Sequence, residues 1–466
     1  MTGLEIWAVQ WFEVVQALPG VLQAVFVAAL GACIGSLINV LAYRLPRGLS
    51  VITPPSRCPA CAARLIWRDN VPILGWLWLR GRCRHCREPI SPEYPIVEAL
   101  VALAFLAVYA VIHLAPEAWS IRPEWAANAS PRTPVLPVTI VWWCLIACLT
   151  AITLIDAKTS TIPLLLAWIP GLLALVLLPA HAAWLTAAHG PLLPTDGAMW
   201  LFADGVPWIA ERGFRWVIPT LGPDGWGPLG AAAGAWLGLG GSAALVRLGL
   251  LRRSFADYDE WEARALAEAQ RAPQRPDHPD RGTDHNGSPT PEPDQREDKH
   301  SAMWIQYPHA RREMVKELAF LAPPAGLAFA GAWLAARLGS GDLPLWLGVL
   351  GGALWGGLAG GGLVWGIRIF GSLAFGKEAM GIGDVHLMAG VGVCLGWIDP
   401  VLIFFSAAFL GLGWAVLGAV VGGGFRRTMP YGPFLAAATL LVMLGKPAFE
   451  ALLRLLWGPL GPSGLP

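Results

Sequence analysis

Charge is scarce in this 466-residue chain: Asp, Glu, Lys and Arg make up 14% of it, against about 25% in ordinary soluble domains. That deficit argues against a water-soluble globular fold. The net charge of +1 by itself says nothing about nucleic acid, since the distribution of charge is what matters; no nucleic-acid partner is expected. A basic leader region is missing as well. Met1 to Leu18 carries Glu5 and Glu13 and has no clear small-residue cleavage site, so the first apolar run is expected to be retained as its own insertion signal. No glycine-rich strand–helix loop of the kind that cradles a cofactor is visible.

What the chain has instead is 55% hydrophobic residues, 54 glycines and 25 tryptophans. Glycine is frequent in packed membrane helices, and tryptophan concentrates at the membrane–water interface. Crossing the hydrocarbon layer takes roughly 20 apolar residues. Such runs lie near 20–43, 96–115, 135–156, 162–183, 228–250, 315–338, 344–371, 385–399, 401–423 and 430–448. The expectation is an all-α polytopic membrane protein with about ten transmembrane helices.

Orientation follows from the basic residues. The segment 44–95 holds Arg44, Arg47, Arg57, Arg64, Arg68, Arg80, Arg82, Arg84 and Arg87 against Asp69, Glu88 and Glu93. By the positive-inside rule it is cytoplasmic, with anionic lipid headgroups as expected neighbours of its arginines. Counting spans from there puts 116–134 and 184–227 outside. Arg252, Arg253, Arg311, Arg312, Arg426 and Arg427 fall inside, and so do Asp156 and Asp384. The stretch 254–302 is rich in Pro, Asp and Arg with almost no large apolar residue, which predicts a disordered linker. The helical pattern DYDEWEARALAEAQR adjoins it as a short solvated helix, and 199–217, mixing Trp with charge, is expected to lie flat on the outer surface.

Four cysteines form a pattern between the first two apolar runs. Cys58-Pro-Ala-Cys61 and Cys83-Arg-His-Cys86 are two C-x2-C pairs with 21 residues between them, just beyond the roughly 15–20 usual in zinc ribbons. Each pair can supply two thiolates from one turn, and four together suit a tetrahedral ion. Free or disulfide-paired thiols are the alternative, and a reducing compartment disfavours the disulfides. A structural zinc at Cys58, Cys61, Cys83 and Cys86 is therefore expected, folding a segment with little core of its own. Cys33, Cys144, Cys148 and Cys394 lie in apolar runs and are read as small hydrophobes.

Two aspartates stand at the ends of apolar runs, Asp156 in LTAITLIDAKTSTIP and Asp384 in KEAMGIGDVHLMAG. A carboxylate at a membrane boundary is expensive and hence a functional hypothesis by default. Asp384 is equally placed to cap the helix that follows it, and Asp156 to pair with Lys158. Two carboxylates sharing one site divide into an acid and a base, which is the logic of aspartic proteolysis. Glycines at Gly381 and Gly383 would let backbone approach closely there. An ion path through the two acids, in a transporter or channel with a metal-stabilised domain, is the competing class. A scaffold for secretion machinery that has lost activity is a third.

The motifs together resemble the type IV prepilin peptidase family, the bacterial leader peptidases of pilins and type II secretion pseudopilins. The resemblance rests on Gly35-Ser36, Asn39-Val40, Tyr43-Arg44, Pro46-Arg47, Arg57-Cys58-Pro59, Asp69-Asn70-Val71-Pro72, Arg80-Gly81-Arg82-Cys83-Arg84-His85-Cys86 and Pro89-Ile90-Ser91-Pro92-Glu93-Tyr94-Pro95. In the second half it rests on Glu378-Ala379-Met380-Gly381-Ile382-Gly383-Asp384 and Met429-Pro430-Tyr431-Gly432-Pro433-Phe434. It covers roughly residues 20–183 and 344–450.

The resemblance implies an intramembrane aspartic endopeptidase of the G-x-G-D type in the bacterial inner membrane, with Asp156 and Asp384 catalytic. Its substrates would be prepilins or pseudopilins, cut on the cytoplasmic side of the membrane, with pilus or type II secretion machinery and membrane lipids as partners. It also implies N-methylation of the new terminus with S-adenosylmethionine, for which no site can be placed. Gly381, Gly383 and Glu378 would border the substrate, although pairing of Glu378 with Lys377 is the favoured reading of that acid. Three departures stand out: His386 where the family commonly has Lys, Leu164 after Pro163, and an insertion over 184–343 with two extra spans. The implied divisions are a first span (1–44), the four-cysteine domain (45–95), membrane helices with Asp156 (96–183), the insertion, helices with the G-x-G-D motif (344–450) and a tail (451–466).

Overall fold

Lipid tails are as apolar as leucine, so two membrane helices gain little by shielding one another; close backbone approach is what holds them together. The computed structural model is built on that contact. It describes residues 20–114, 136–190, 192–194, 200–202, 207–208, 225–271, 307–341, 343–376, 378–420 and 431–457. The helices among them are α1 (Gly20–Arg44), α2 (Leu74–Trp78), α3 (Glu93–Tyr109), α4 (Leu136–Thr159), α5 (Leu164–His189) and α6 (Trp226–Arg247). They continue as α7 (Tyr258–Arg271), α8 (Ala310–Leu338), α9 (Leu345–Phe375), α10 (Ile382–Leu395), α11 (Asp399–Val420) and α12 (Gly432–Trp457).

Eight of these, α1, α3, α4, α5, α6, α8, α9 and α11, are long and apolar enough to cross a membrane, and Ile382–Leu395 and Gly432–Lys446 are shorter apolar helices. The chain is a multi-pass, helical membrane protein. Runs at all ten expected places are helical, but two of them fall short of a full crossing. The 14 residues of α10 reach only about 21 Å at 1.5 Å per residue, less than the roughly 30 Å hydrocarbon layer. It begins at Gly381 and stops at Gly396, whose φ of 95° is open to glycine but strained for other residues. A broken helix of this kind leaves irregular backbone on both sides of α10, which is tolerated where protein surrounds it.

α10 is the centre of the bundle. It packs against α9, where Gly356 and Gly392 face each other so closely that a Cβ on either would sit 2.0 Å from the other's carbonyl oxygen. It also packs against α5, where a Cβ on Gly390 would lie 2.1 Å from the Ala167 carbonyl oxygen. Around it one apolar core runs through α1, α3, α4, α5, α9, α11 and α12, with Trp142, Ile152, Ile155, Met388 and Leu435 fully buried. The outer face carries exposed Phe26, Leu103, Val176, Phe409 and Trp414, the surface that hydrocarbon chains cover.

The insertion contributes α6 and α8, which pack along each other and reach the bundle through α9. Three short antiparallel strands, Leu192–Pro194, Trp200–Phe202 and Pro207–Trp208, precede them. The last two fall within the stretch expected to lie flat on the membrane. The expected linker over 254–302 differs in its first part: residues 254–271 are ordered, with α7 among them. The reason is aromatic. Phe255, Tyr258 and Tyr307 are buried together with Met314 and Ile369, and Trp261 packs on them. The helix expected to be solvated therefore has one face in a core. The remainder of that linker, the amino-terminal 1–19, the loop 116–134, Lys377, Arg426 and Arg427 lie outside the described residues.

Candidate active site and metal centre

Asp156 sits in the last turn of α4, where the chain reverses through Ser160 (φ 52°) into Ile162-Pro163 and α5. Its side chain is buried, and its Oδ2 accepts a hydrogen bond from the Gly432 backbone N–H at 3.2 Å. Gly432 opens α12, and a Cβ there would stand 2.6 Å from Asp156 Oδ2. Glycine is thus the residue that lets the amide approach the acid. Lys158 does not pair with Asp156; it pairs with Glu93 at the start of α3.

Asp384 is not the cap of α10. Gly381 holds that position, and Asp384 is the third residue of the helix, donating its own N–H to the Gly381 carbonyl at 3.2 Å. Its carboxylate turns back toward Gly381, where a Cβ would lie 3.5 Å from Asp384 Oδ2. Gly383 lies against Ile162, where a Cβ would come 2.9 Å from the Ile162 Cβ. The loop after Asp156 therefore rests on the residue before Asp384. The two carboxylates are within electrostatic reach of each other, and the Tyr431 phenol and Arg368 are within reach of Asp384. His386, on the same turn, meets Trp168 edge-on with ring centroids 5.7 Å apart.

Glu378 pairs with Arg368, which also donates to the Met380 carbonyl at 2.5 Å. The partner favoured from sequence, Lys377, lies outside the described residues. Arg368 supplies a buried guanidinium that can satisfy several acceptors at once. The missed residues had a signal: an arginine inside the apolar run 345–375, and Asp399 and Lys446 in similar runs, are charges where charge is expensive. Lys446 Nζ lies 2.9 Å from Asp399 Oδ2, both buried, joining α11 to α12.

The four-cysteine segment is two copies of one turn. In the first, Cys58 N–H donates to the Ala63 carbonyl and Ala62 N–H to the Cys58 carbonyl, both at 2.9 Å. In the second, Cys83 N–H donates to the Glu88 carbonyl at 2.8 Å and Arg87 N–H to the Cys83 carbonyl at 3.1 Å. Ala62 and Arg87 take the same left-handed conformation, and the bridges Arg57↔Arg64 and Arg82↔Pro89 close both turns at matching positions. The two turns face each other. Sγ atoms of Cys58 and Cys86 are 3.8 Å apart, those of Cys61 and Cys83 are 4.0 Å apart, and all four lie within 4.8 Å. Thiolate bonds of about 2.3 Å in a tetrahedron place sulfurs about 3.8 Å apart, so the cluster can hold a metal ion. Backbone N–H groups of Cys86 and His85 bring the Cys83 thiol down to about 6, favouring the ligating thiolate.

This segment is fixed to the membrane helices. Buried Glu98 of α3 accepts the Ile73 N–H at 2.6 Å, and Asn39 of α1 donates to the Tyr94 carbonyl at 3.2 Å. Arg84 grips Asp69 through two nitrogens, and Arg44 donates to the carbonyls of Ser50, Val51 and Pro54. These two arginines hold the segment together. Through Glu93 and Lys158 the cysteine segment lies at the same end of the bundle as Asp156.

Residues 29–112 match the Bacterial Peptidase A24 N-terminal domain. A prepilin leader peptidase/N-methyltransferase of Myxococcus xanthus (strain DK1622) is 51% identical over 88 residues, 19% of this chain and 26% of that protein. A protein of the same name from Klebsiella pneumoniae is 36% identical over 140 residues, 28% of this chain and 52% of its own length. The one from Pectobacterium carotovorum subsp. carotovorum is 33% identical over 157 residues, 29% and 48% respectively. The chain spans about half or less of the length of these curated relatives. No solved structure matches. The matched domain and the relatives together support the prepilin peptidase family for this chain.

Proposed function

We propose that this protein is an intramembrane aspartic endopeptidase that removes the basic leader of type IV prepilins or pseudopilins at the cytoplasmic face of the bacterial inner membrane. The observation that carries the reading is the convergence of Asp156 and Asp384 from separate halves of the chain, joined by Gly432 and by the Ile162–Gly383 contact. The names of the relatives supply the substrate class. One ionised carboxylate takes a proton from water, which attacks the scissile carbonyl, and the protonated one polarises that carbonyl and then protonates the leaving amine. The proton is shared by the pair, so the roles belong to the dyad rather than to one residue. Gly381 leaves backbone room for an extended substrate beside Asp384, whereas the space at Gly383 is taken by Ile162. Glu378 borders that loop and shapes it through Arg368. Pilus or type II secretion machinery is the setting in which such a product is used.

Cys58, Cys61, Cys83 and Cys86 would hold zinc, whose four thiolates leave no open position for a substrate; its contribution is to fold the domain. N-methylation of the new terminus with S-adenosylmethionine belongs to the same proposal, following the relatives' names, with no residues assigned to it. The division of the chain into first span, cysteine domain, Asp156 helices, insertion and G-x-G-D helices accompanies this reading.

Membranes carrying the protein, incubated with a synthetic prepilin amino-terminal segment and labelled methyl donor, should release the leader and label the product. Absence of cleavage by correctly inserted protein, under conditions where a curated relative cuts, would overturn the proposal. Within it, Gly432→Ala is expected to lower kcat about 10–100-fold, because displacing a reacting group by about 1 Å costs on that order. Gly362→Ala, where a Cβ meets nothing within 4 Å, should leave kcat unchanged.

A further inference from the structure

The insertion touches the chain where the G-x-G-D loop begins. Tyr307, just ahead of α8, donates its N–H to the Gly376 carbonyl at 2.6 Å, and its hydroxyl donates to Asp257 at 2.8 Å. The Phe255 N–H donates to Glu313 Oε2 at 2.8 Å. Glu317, one turn further along α8, is buried and accepts from Ser254 Oγ at 2.6 Å, Trp365 Nε1 at 2.7 Å and Arg368 Nε at 3.2 Å. Arg368 is buried as well, and its guanidinium carbon lies 5.1 Å from the centre of the Phe255 ring. Its remaining reach goes to the Glu378 carboxylate and the Met380 carbonyl. Met380 is the residue directly before Gly381.

A buried guanidinium with one carboxylate on the insertion and another on the loop is a two-sided clamp. Lysine could not replace it, because a single ammonium has no fixed fork to hold separated acceptors. Cutting either side leaves a buried charge without its partner. Resting on the peptidase reading above, we infer that Arg368 is a positioning residue: it ties the inserted module to the backbone immediately ahead of Gly381-Ile382-Gly383-Asp384, so that the insertion sets where Asp384 stands. The inserted module is then part of the working enzyme rather than an appendage.

The test uses the full chain in membranes with the prepilin segment, comparing Arg368→Gln, Arg368→Lys, Glu317→Gln and the Arg368→Gln/Glu317→Gln double variant. Each single change is expected to lower kcat about tenfold or more with KM within about twofold, since an interaction that only orients the reacting group acts on turnover. Arg368→Lys should not restore kcat, and the double variant should be no worse than Arg368→Gln. Amide hydrogen exchange at 378–384 should rise in every variant, a readout independent of cleavage. Unchanged kcat and exchange in Arg368→Gln, or additive losses in the double variant, would overturn the inference. Should Arg368→Gln fail to accumulate, Glu317→Gln decides alone: unchanged kcat and exchange would sink the role of the insertion. An inactive wild type with exchange that still responds to Arg368→Gln would refute the peptidase reading while leaving the clamp standing.

Discussion

Asp156→Asn and Asp384→Asn are each expected to reduce leader cleavage by about a thousandfold or more, with insertion and folding unchanged from the wild type. Asparagine keeps the size of the side chain and can still accept the Gly432 N–H at position 156. What it removes is the ability to carry and release a proton. General acid–base catalysis contributes about 10²–10⁴-fold at a single group, and in the proposed dyad each aspartate carries one of the two proton transfers. Because the two work as a unit, the double variant should be little worse than either single one. The measurement is release of the leader from a prepilin segment per folded molecule, with folding followed by thermal unfolding in detergent. Cleavage within tenfold of wild type by either variant would refute the dyad. A transporter reading expects something else: altered ion flux and no dependence of proteolysis on either acid.

Much of the arrangement could be read from residue patterns, because membrane burial makes them blunt. Apolar length located every helix of the bundle, and the two C-x2-C turns located the four-cysteine cluster. The aspartates were visible because each is a charge at the edge of an apolar run. What could not be read was partner choice. Lys158 lies two residues from Asp156 yet pairs with Glu93, since that carboxylate is brought alongside by the α1–α3–α4 packing. Glu378 turns to Arg368 across a reversal of the chain that no local pattern encodes. The helical pattern over 257–271 was legible, but its burial and the order of 254–256 were not, for a related reason. The composition there is polar enough for disorder, but Phe255, Tyr258 and Trp261 find Tyr307 and Ile369 only once the fold has assembled. The role of Gly432 is likewise a matter of distance, because a glycine signals close approach without naming what approaches.

Replacing Cys58, Cys61, Cys83 and Cys86 by serine, or stripping the metal with a chelator, should unfold the segment between α1 and α3 while the membrane bundle survives. That segment has little apolar core of its own: Trp67 and Trp78 are 74% and 67% exposed, and of its indoles Trp76 lies over Gly81 and donates to the Ile90 carbonyl. Structural zinc supplies an apparent folding free energy of about 10–16 kcal/mol in comparable small sites, far more than one indole stacked on a turn. α1 and α3 do not depend on it, since Gly31 and Gly35 lie directly against Ala102 and Glu98. Metal analysis should find one ion per chain in the wild type and none in the serine variant. Limited proteolysis should then cut within 45–92 and spare the helices. Acid should act in the same direction. Arg84 holds the Asp69 carboxyl below its ordinary range through their hydrogen bonds. The stability this pair adds is therefore present above the ordinary carboxylate range and is lost as pH falls through the lowered value. Unfolding of the segment should also release Glu98 of α3 from the Ile73 N–H and loosen the start of α3, where Glu93 pairs with the lysine two residues beyond Asp156. Cleavage should consequently fall in the metal-free protein, but by less than in the aspartate variants, because the Gly432 and Ile162 contacts that hold the two carboxylates do not pass through the cysteine segment.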